Sequence, residues 1–299
     1  MLTEHFHNTQ KDTGHYSNDL RYVLSLQNTI AAFEEIKTWE GYAKTPLHSL
    51  DSMASDIGVK NIYYKDESSR FGLGSFKALG GTYGVLKFIH HALKKEIGDE
   101  VSMKDIHAGK YSEQISKYTV TTATDGNHGR SVAFGAKLFG CKCQIYIHSE
   151  VSSGRQKAME DLEATVNRVS GNYDESLQIC IEDAGKNNWY VISDTSYEGY
   201  TKYPRYIMAG YNVMAEEIID QIKDRPLPTH VFLQGGVGSF PGAICGYFWE
   251  KFPGNNIKFV VVESEYAPCL IRSAQNNQMT SVNIKQETMM AGLSCGEPS

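Results

Sequence analysis

The 299-residue sequence predicts an α/β fold built on parallel sheets. Three observations carry the prediction. Short β-branched or apolar runs recur along the chain, stretches of helical period separate them, and glycine-rich or polar turns sit where a run hands over to a helix. In chain order, residues 61–65 read as a strand and 77–93 as a helix. The charged segment 94–110 reads as a solvated connection. Residues 118–123 are a β-branched run, read as a buried strand, and 131–138 follow as a helix. Strands over 144–148 and 165–169 alternate with helices over 154–163 and 173–187. A strand over 190–193 precedes one long helix at about 203–222. Strands over 229–233 and 258–262 flank a helical stretch over 243–249.

Composition narrows the function classes. Acidic residues outnumber basic ones, 35 to 29, so the formal net charge of −6 gives no basic footprint for nucleic acid. No apolar run approaches the ~20 residues that cross a membrane. Residues 1–10 are polar and carry two histidines, unlike a secretory signal. Six cysteines in a chain of this length suggest no disulfide framework, and Cys141 and Cys143 lack a second half for a zinc site. A pairing of Cys269 with Cys295 stays open. A soluble, cytoplasmic enzyme without a metal site is the expectation.

Three segments carry chemistry. Lys77 follows Ser75-Phe76 after a charged strand and a loop broken by Gly72 and Gly74. A lysine held between two rigid elements is suited to form a Schiff base with a carbonyl cofactor. The bland alternative is a surface lysine on an amphipathic helix. The second segment, Thr124-Asp125-Gly126-Asn127-His128-Gly129-Arg130, falls between a strand and a helix, where open α/β sheets bind ligands. The third, Gln234-Gly235-Gly236-Val237-Gly238-Ser239, is a strand-to-helix turn whose backbone N–H groups can converge on an anion such as phosphate. Asp194 follows the 190–193 strand, on the ligand side of a parallel sheet, with a loop-capping role as its alternative.

Together these segments resemble the fold-type II pyridoxal 5′-phosphate (PLP) enzymes, the tryptophan synthase β-like group. Within it, Lys65-Asp66-Glu67-Ser68, Arg70-Phe71-Gly72-Leu73, the Asp125 segment, Glu198-Gly199-Tyr200-Thr201-Lys202 and Met290-Ala291-Gly292-Leu293 are similar to the diaminopropionate ammonia-lyase family, over about 45–299. The resemblance implies two domains, each with a mostly parallel sheet covered by helices: residues 1–85 with 205–299 as the larger, 86–204 as the smaller and mobile one. It also implies that Met290–Leu293 is followed in the family by a further stretch, which supplies the partner of the pyridine nitrogen and completes the large domain.

The chemistry implied is PLP-dependent α,β-elimination of 2,3-diaminopropionate to pyruvate and ammonia. Lys77 would carry the cofactor. Asn127 would donate to the ring 3′-oxygen, and Gly235, Gly236, Val237 and Gly238 would hold the phosphate. Asp194 would help hold the substrate amine. Ser75 would contact carboxylate or phosphate, while Thr195, Tyr200 and Lys202 would line the cleft. His128 reads as a packing residue at a helix start. Asp125 departs from the small neutral residue usual in the serine and threonine dehydratase branch. A carboxylate there suits a second substrate ammonium and, by the resemblance, a base on the other face of Cα; its alternative is a helix N-cap. A serine or threonine dehydratase and a truncated, non-catalytic PLP-binding protein remain the alternatives. A homodimer is expected by analogy.

Overall fold

The computed structural model describes residues 4–9, 11–12, 14–124, 126–284 and 290–299. Eight strands are present among them: β1 Leu47–Ser49, β2 Tyr63–Lys65, β3 Thr119–Ala123, β4 Lys142–Ile147, β5 Thr165–Arg168, β6 Tyr190–Val191, β7 His230–Gln234 and β8 Lys258–Val262. β3 to β6 make one parallel sheet in the order β5-β4-β3-β6. β7 and β8 pair in parallel, and β1 and β2 pair antiparallel. Every residue of β3 is buried, as its unbroken β-branched sequence requires of a central parallel strand.

The order of the four-stranded sheet fixes where a site can form. From β3 the chain steps outward to β4 and β5, then returns to place β6 on the other side of β3. β3 and β6 are parallel neighbours, so their carboxyl ends adjoin and the residues that follow them meet there. Thr124 and Gly126-Asn127-His128 lie at one lip of a cavity there and Ser193-Asp194 at the other.

The Lys77–Ile97 helix is the backbone of the assembly. Ser75 Oγ accepts from Lys77 N at 3.2 Å, and Gly98, at φ 117°, ends the helix after Lys94 and Lys95, cations suited to its C-terminal dipole. It packs against the Asn127–Phe139 helix on one side and the Lys202–Tyr211 helix on the other. Gly80 and Gly81 permit this approach. A Cβ on Gly80 would lie 2.4 Å from Tyr211 Cε1 and 2.8 Å from Ile207 O, and one on Gly81 would lie 2.4 Å from Ser131 Oγ. The helix runs unbroken from residue 85 to 86, where the sequence reading passes from the larger to the smaller domain.

Three differences from the sequence reading have physical causes. Segment 94–110 is not a solvated connection throughout. It ends one helix and forms another, Met103–His107, which sends Val101 and Ile106 into the core. The long helix at 203–222 is two, Lys202–Tyr211 and Val213–Gln221, meeting at Asn212. Asn212 is fully buried, and its amide donates to Thr29 Oγ1 at 3.1 Å in the Leu26–Ile36 helix. The helix read at 131–138 begins at Asn127, because Thr124 Oγ1 accepts from Gly126 N and Gly129 N and so closes the turn ahead of it. Among the described residues, no helix is long and apolar enough to cross a membrane.

Candidate active site

Lys65, Glu67 and Arg70 form a buried support beneath the loop that delivers Lys77. Arg70 is 1% exposed and reaches across 147 positions to Glu217, donating to both of its oxygens at 2.9 and 2.8 Å. It also donates to Glu67 Oε2 and Oε1, to Ala43 O and to Thr45 Oγ1. Lys65 Nζ donates to Glu217 Oε2 at 2.6 Å, and Tyr42 OH to Glu217 Oε1 at 2.8 Å. Above this network the chain turns through positive φ at Phe71, Gly72 and Gly74. Phe71 is held there among Trp39, Tyr42 and Phe134.

Lys77 then enters a cavity of about 1290 Å³. Its Nζ is ion-paired with Asp194 Oδ2, each side chain keeping a small exposed fraction, 24% and 16%. Burial opposes the charge on Lys77, but the Asp194 carboxylate outweighs it and holds the ammonium well above its ordinary proton affinity. For Asp194, burial again opposes the charge; His128 and Lys77 outweigh it and keep the carboxyl far below the usual carboxylate range. Tyr211 OH lies 3.5 Å from the same Asp194 oxygen. The backbone carrying Asp194 is fixed as well. Tyr200 OH accepts from Ser193 N at 2.9 Å and donates to Val191 O at 3.0 Å, and Ser239 Oγ donates to Asp194 O at 2.8 Å.

The glycine turn lies on the same cavity. Gly236, Val237, Gly238 and Ser239 line it, and none of their N–H groups has an acceptor among the described residues. Gly238, at φ 109°, caps the Ser239–Lys251 helix, whose N-terminal dipole adds to the attraction for an anion. Gly235 plays another part than the sequence reading gives it. Its N–H donates to Val262 O at 2.8 Å, within the β7–β8 pairing, and it does not line the cavity. A Cβ there would meet Val261 Cγ1 at 2.8 Å, so Gly235 serves close packing. Ser299 N donates to Val237 O at 2.7 Å, and residues 292–298 form one wall.

The exposed side chain of Asn127 lines the cavity and has no hydrogen bond among the described residues. Ser75 and Thr195 line it too. Tyr200 and Lys202 do not; Tyr200 acts through the Ser193 backbone, and Lys202 opens a helix. Asp125 lies outside the described residues. Cys269 and Cys295 are both reduced thiols, and Cys269 donates to Gly236 O at 3.4 Å. Sequence reasoning missed Tyr211 and the side-chain role of Ser239 toward Asp194 O. The role of Ser239 could have been found, as that of the residue opening the helix after the glycine turn. Tyr211 carried no signal, being one aromatic among many on an apolar helix face.

The cavity thus offers an amine beside a carboxylate, four free backbone N–H groups at a helix start, and an unengaged amide. That set fits a phosphorylated aldehyde such as PLP, with its anion on the turn and its carbonyl toward Lys77. Comparison with known proteins agrees. Residues 38–299 match the family model "Pyridoxal-phosphate dependent enzyme". The chain is 38% identical over 284 residues to diaminopropionate ammonia-lyase of Salmonella typhimurium, covering 93% of this chain and 70% of that one. It is 38% identical over 260 residues to that of Escherichia coli K12, covering 87% and 64%. The chain therefore spans about two thirds of the length of these relatives. A solved structure of the Escherichia coli lyase in complex with D-serine matches with a TM-score of 0.83 at 34% identity, covering 97% of this chain and 71% of that one. The processed form of tomato threonine deaminase, at 21% identity, shares the fold with a TM-score of 0.74. The chain belongs to the pyridoxal-phosphate dependent enzyme family, in its diaminopropionate ammonia-lyase branch.

Proposed function

We propose that the chain binds PLP and eliminates ammonia from 2,3-diaminopropionate, one substrate and one water giving one pyruvate and two ammonia. The observation that carries the reading is the Lys77–Asp194 ion pair facing, across one cavity, the free N–H groups of residues 236–239. When bound, PLP supplies an electron sink for negative charge at the substrate Cα. The chain's residues do the rest. Gly236, Val237, Gly238 and Ser239 would hold the phosphate, and the Asn127 amide would donate to the ring oxygen. Lys77 Nζ would hold the cofactor through its aldehyde and, as a free amine, would be the base that takes the Cα proton. Asp194 stays ionised, orients Nζ and offers a carboxylate to the substrate amine. Asp125, on its sequence position, would pair with the second substrate ammonium and serve as a base on the opposite face.

The same reading takes residues 86–204, which contain the whole four-stranded sheet, as the smaller domain. It takes the working unit as a cytoplasmic homodimer, by analogy with the fold. The test is a spectrum and an assay. Full-length protein with PLP is expected to show the visible band of a lysine-bound cofactor and to release pyruvate from diaminopropionate faster than from D- or L-serine. Lys77→Ala is expected to lose the band and at least ~1000-fold in rate, more than ~4 kcal/mol of transition-state stabilisation. Full turnover by Lys77→Ala, or faster release from serine, would overturn the assignment.

A further inference from the structure

We infer that His128 is a second seat for the proton of Lys77: when Lys77 Nζ becomes neutral, the proton resides on His128 Nδ1, so that Asp194 keeps a cationic partner. Its role in turnover rests on the lyase reading above; the geometry stands by itself. His128 is 6% exposed, in the first turn of the Asn127–Phe139 helix. Its Nε2 lies 2.8 Å from Ile192 O. A carbonyl only accepts, so Nε2 carries a hydrogen in either charge state, and the neutral ring presents a bare Nδ1. That nitrogen is buried without a hydrogen-bond partner among the described residues. It lies 3.7 Å from Asp194 Oδ2, the oxygen that also receives Lys77 Nζ.

A histidine serving only to pack would need the Ile192 bond and nothing more. Here the second nitrogen faces a carboxylate across less than 4 Å, with a lysine on the far side of it. The charged groups acting on His128 are Asp194 and Lys77. Burial and the Lys77 charge disfavour its imidazolium, while Asp194 favours it. With Lys77 charged, the ring is therefore neutral. Take that charge away and one opponent vanishes while Asp194 remains. Tyr211 OH, at 3.5 Å, is neutral and does not replace a cation.

The transfer balances. The bond from Lys77 Nζ to hydrogen breaks and its electron pair stays on nitrogen. Asp194 Oδ2, paired with Lys77 Nζ and 3.7 Å from His128 Nδ1, passes the proton as the ring draws in. A new N–H bond forms at Nδ1 from the ring lone pair. One cation and one anion are present before and after. The imidazolium then draws in to a charge-assisted hydrogen bond of about 2.8 Å.

Imidazole nitrogen NMR on the full chain, without PLP or amino acid, tests this apart from the lyase reading. His128→Gln, which keeps an amide N–H toward Ile192 O, assigns the signal among the ten histidines. Wild type is expected to show a neutral ring with hydrogen on Nε2 near pH 7.5. In Lys77→Met, or in Lys77→Gln should the first not fold, both nitrogens should carry hydrogen and the titration midpoint should rise by about one pH unit or more, tenfold in proton affinity. Adding Asp194→Asn to the lysine variant should abolish the rise. An unchanged midpoint in the lysine variant, or an equal rise in the double variant, overturns the inference.

Discussion

Two ionic clusters lie seven residues apart at their nearest, and they are finished to different degrees. Around Arg70 and Glu217 the guanidinium has partners on all three nitrogens, and Glu217 takes Arg70, Lys65 and Tyr42 together. Glu217 is 0% exposed and is not among the residues that line the Lys77 cavity. Around Lys77 and Asp194 one carboxylate oxygen takes the lysine, with Tyr211 and His128 at 3.5 and 3.7 Å, and the cluster opens onto the cavity. Full satisfaction makes a cluster rigid, since no member can leave without stranding a buried charge. Incomplete satisfaction lets partners exchange. The first cluster therefore builds the platform, and the second is the one open to exchange its partners at the cavity.

The sharpest way to break this contrast is to remove one charge from each. Arg70→Ala is expected to cost about 3–5 kcal/mol, because Glu67 loses its ion-pair partner and Glu217 is left with Lys65 as its one cation in a buried site. Lys77→Met should cost less than half of that, measured by urea unfolding. Equal losses would mean the second cluster is as structural as the first. The pH dependence sharpens the test. Burial raises the proton affinity of Glu217, but Arg70 and Lys65 outweigh it, so its folded value lies below the ordinary one. Its stabilisation is thus present above the unfolded carboxylate range, about 4.3, and lost as pH falls below it. Glu217→Gln is expected to be less stable at pH 7 and to lose less on acidification.

How the sequence exposes each cluster follows from the same contrast. Its motifs mark Lys77, Asn127 and the glycine turn, which line one cavity, because each is local: a residue at a strand end or helix start with glycines around it. The parallel alternation is legible for a similar reason, since β3, β7 and β8 are continuous β-branched or apolar runs. The Arg70–Glu217 pair is not legible, because its partners are 147 positions apart and Glu217 looks like any acid in an amphipathic helix. Nor is the hydrogen-bonding role of Gly235, set by pairing with Val262 O. Asn212 hides within an apolar period that continues through it, and its meaning appears only with Thr29 opposite.

A smaller effect is expected on the helix that Lys77 opens, where Gly80 packs against Tyr211 and Ile207. Gly80→Ala places a methyl 2.8 Å from Ile207 O, a backbone atom that cannot swing aside, and 2.4 Å from Tyr211 Cε1. Overpacking of this kind costs about 1–3 kcal/mol. Because Tyr211 also faces Asp194, PLP affinity should fall with it, about tenfold by titration of the visible band. Lost stability with unchanged affinity would show that the active cluster does not depend on this packing.

The smallest stability effect should come at Asn127, and there the two properties should separate. Its side chain is exposed in the cavity and bonds to nothing among the described residues, so Asn127→Ala removes no contact on which the fold depends. Stability should stay within about 0.5 kcal/mol of wild type. If the amide donates to the cofactor ring, its loss removes one hydrogen bond of about 1 kcal/mol, and the Kd for PLP should rise about fivefold. A variant that unfolds earlier yet binds PLP as tightly would put Asn127 with the platform residues. A variant of normal stability and weakened binding keeps it on the chemical side, where having no partner among the described residues leaves its amide available to the cofactor.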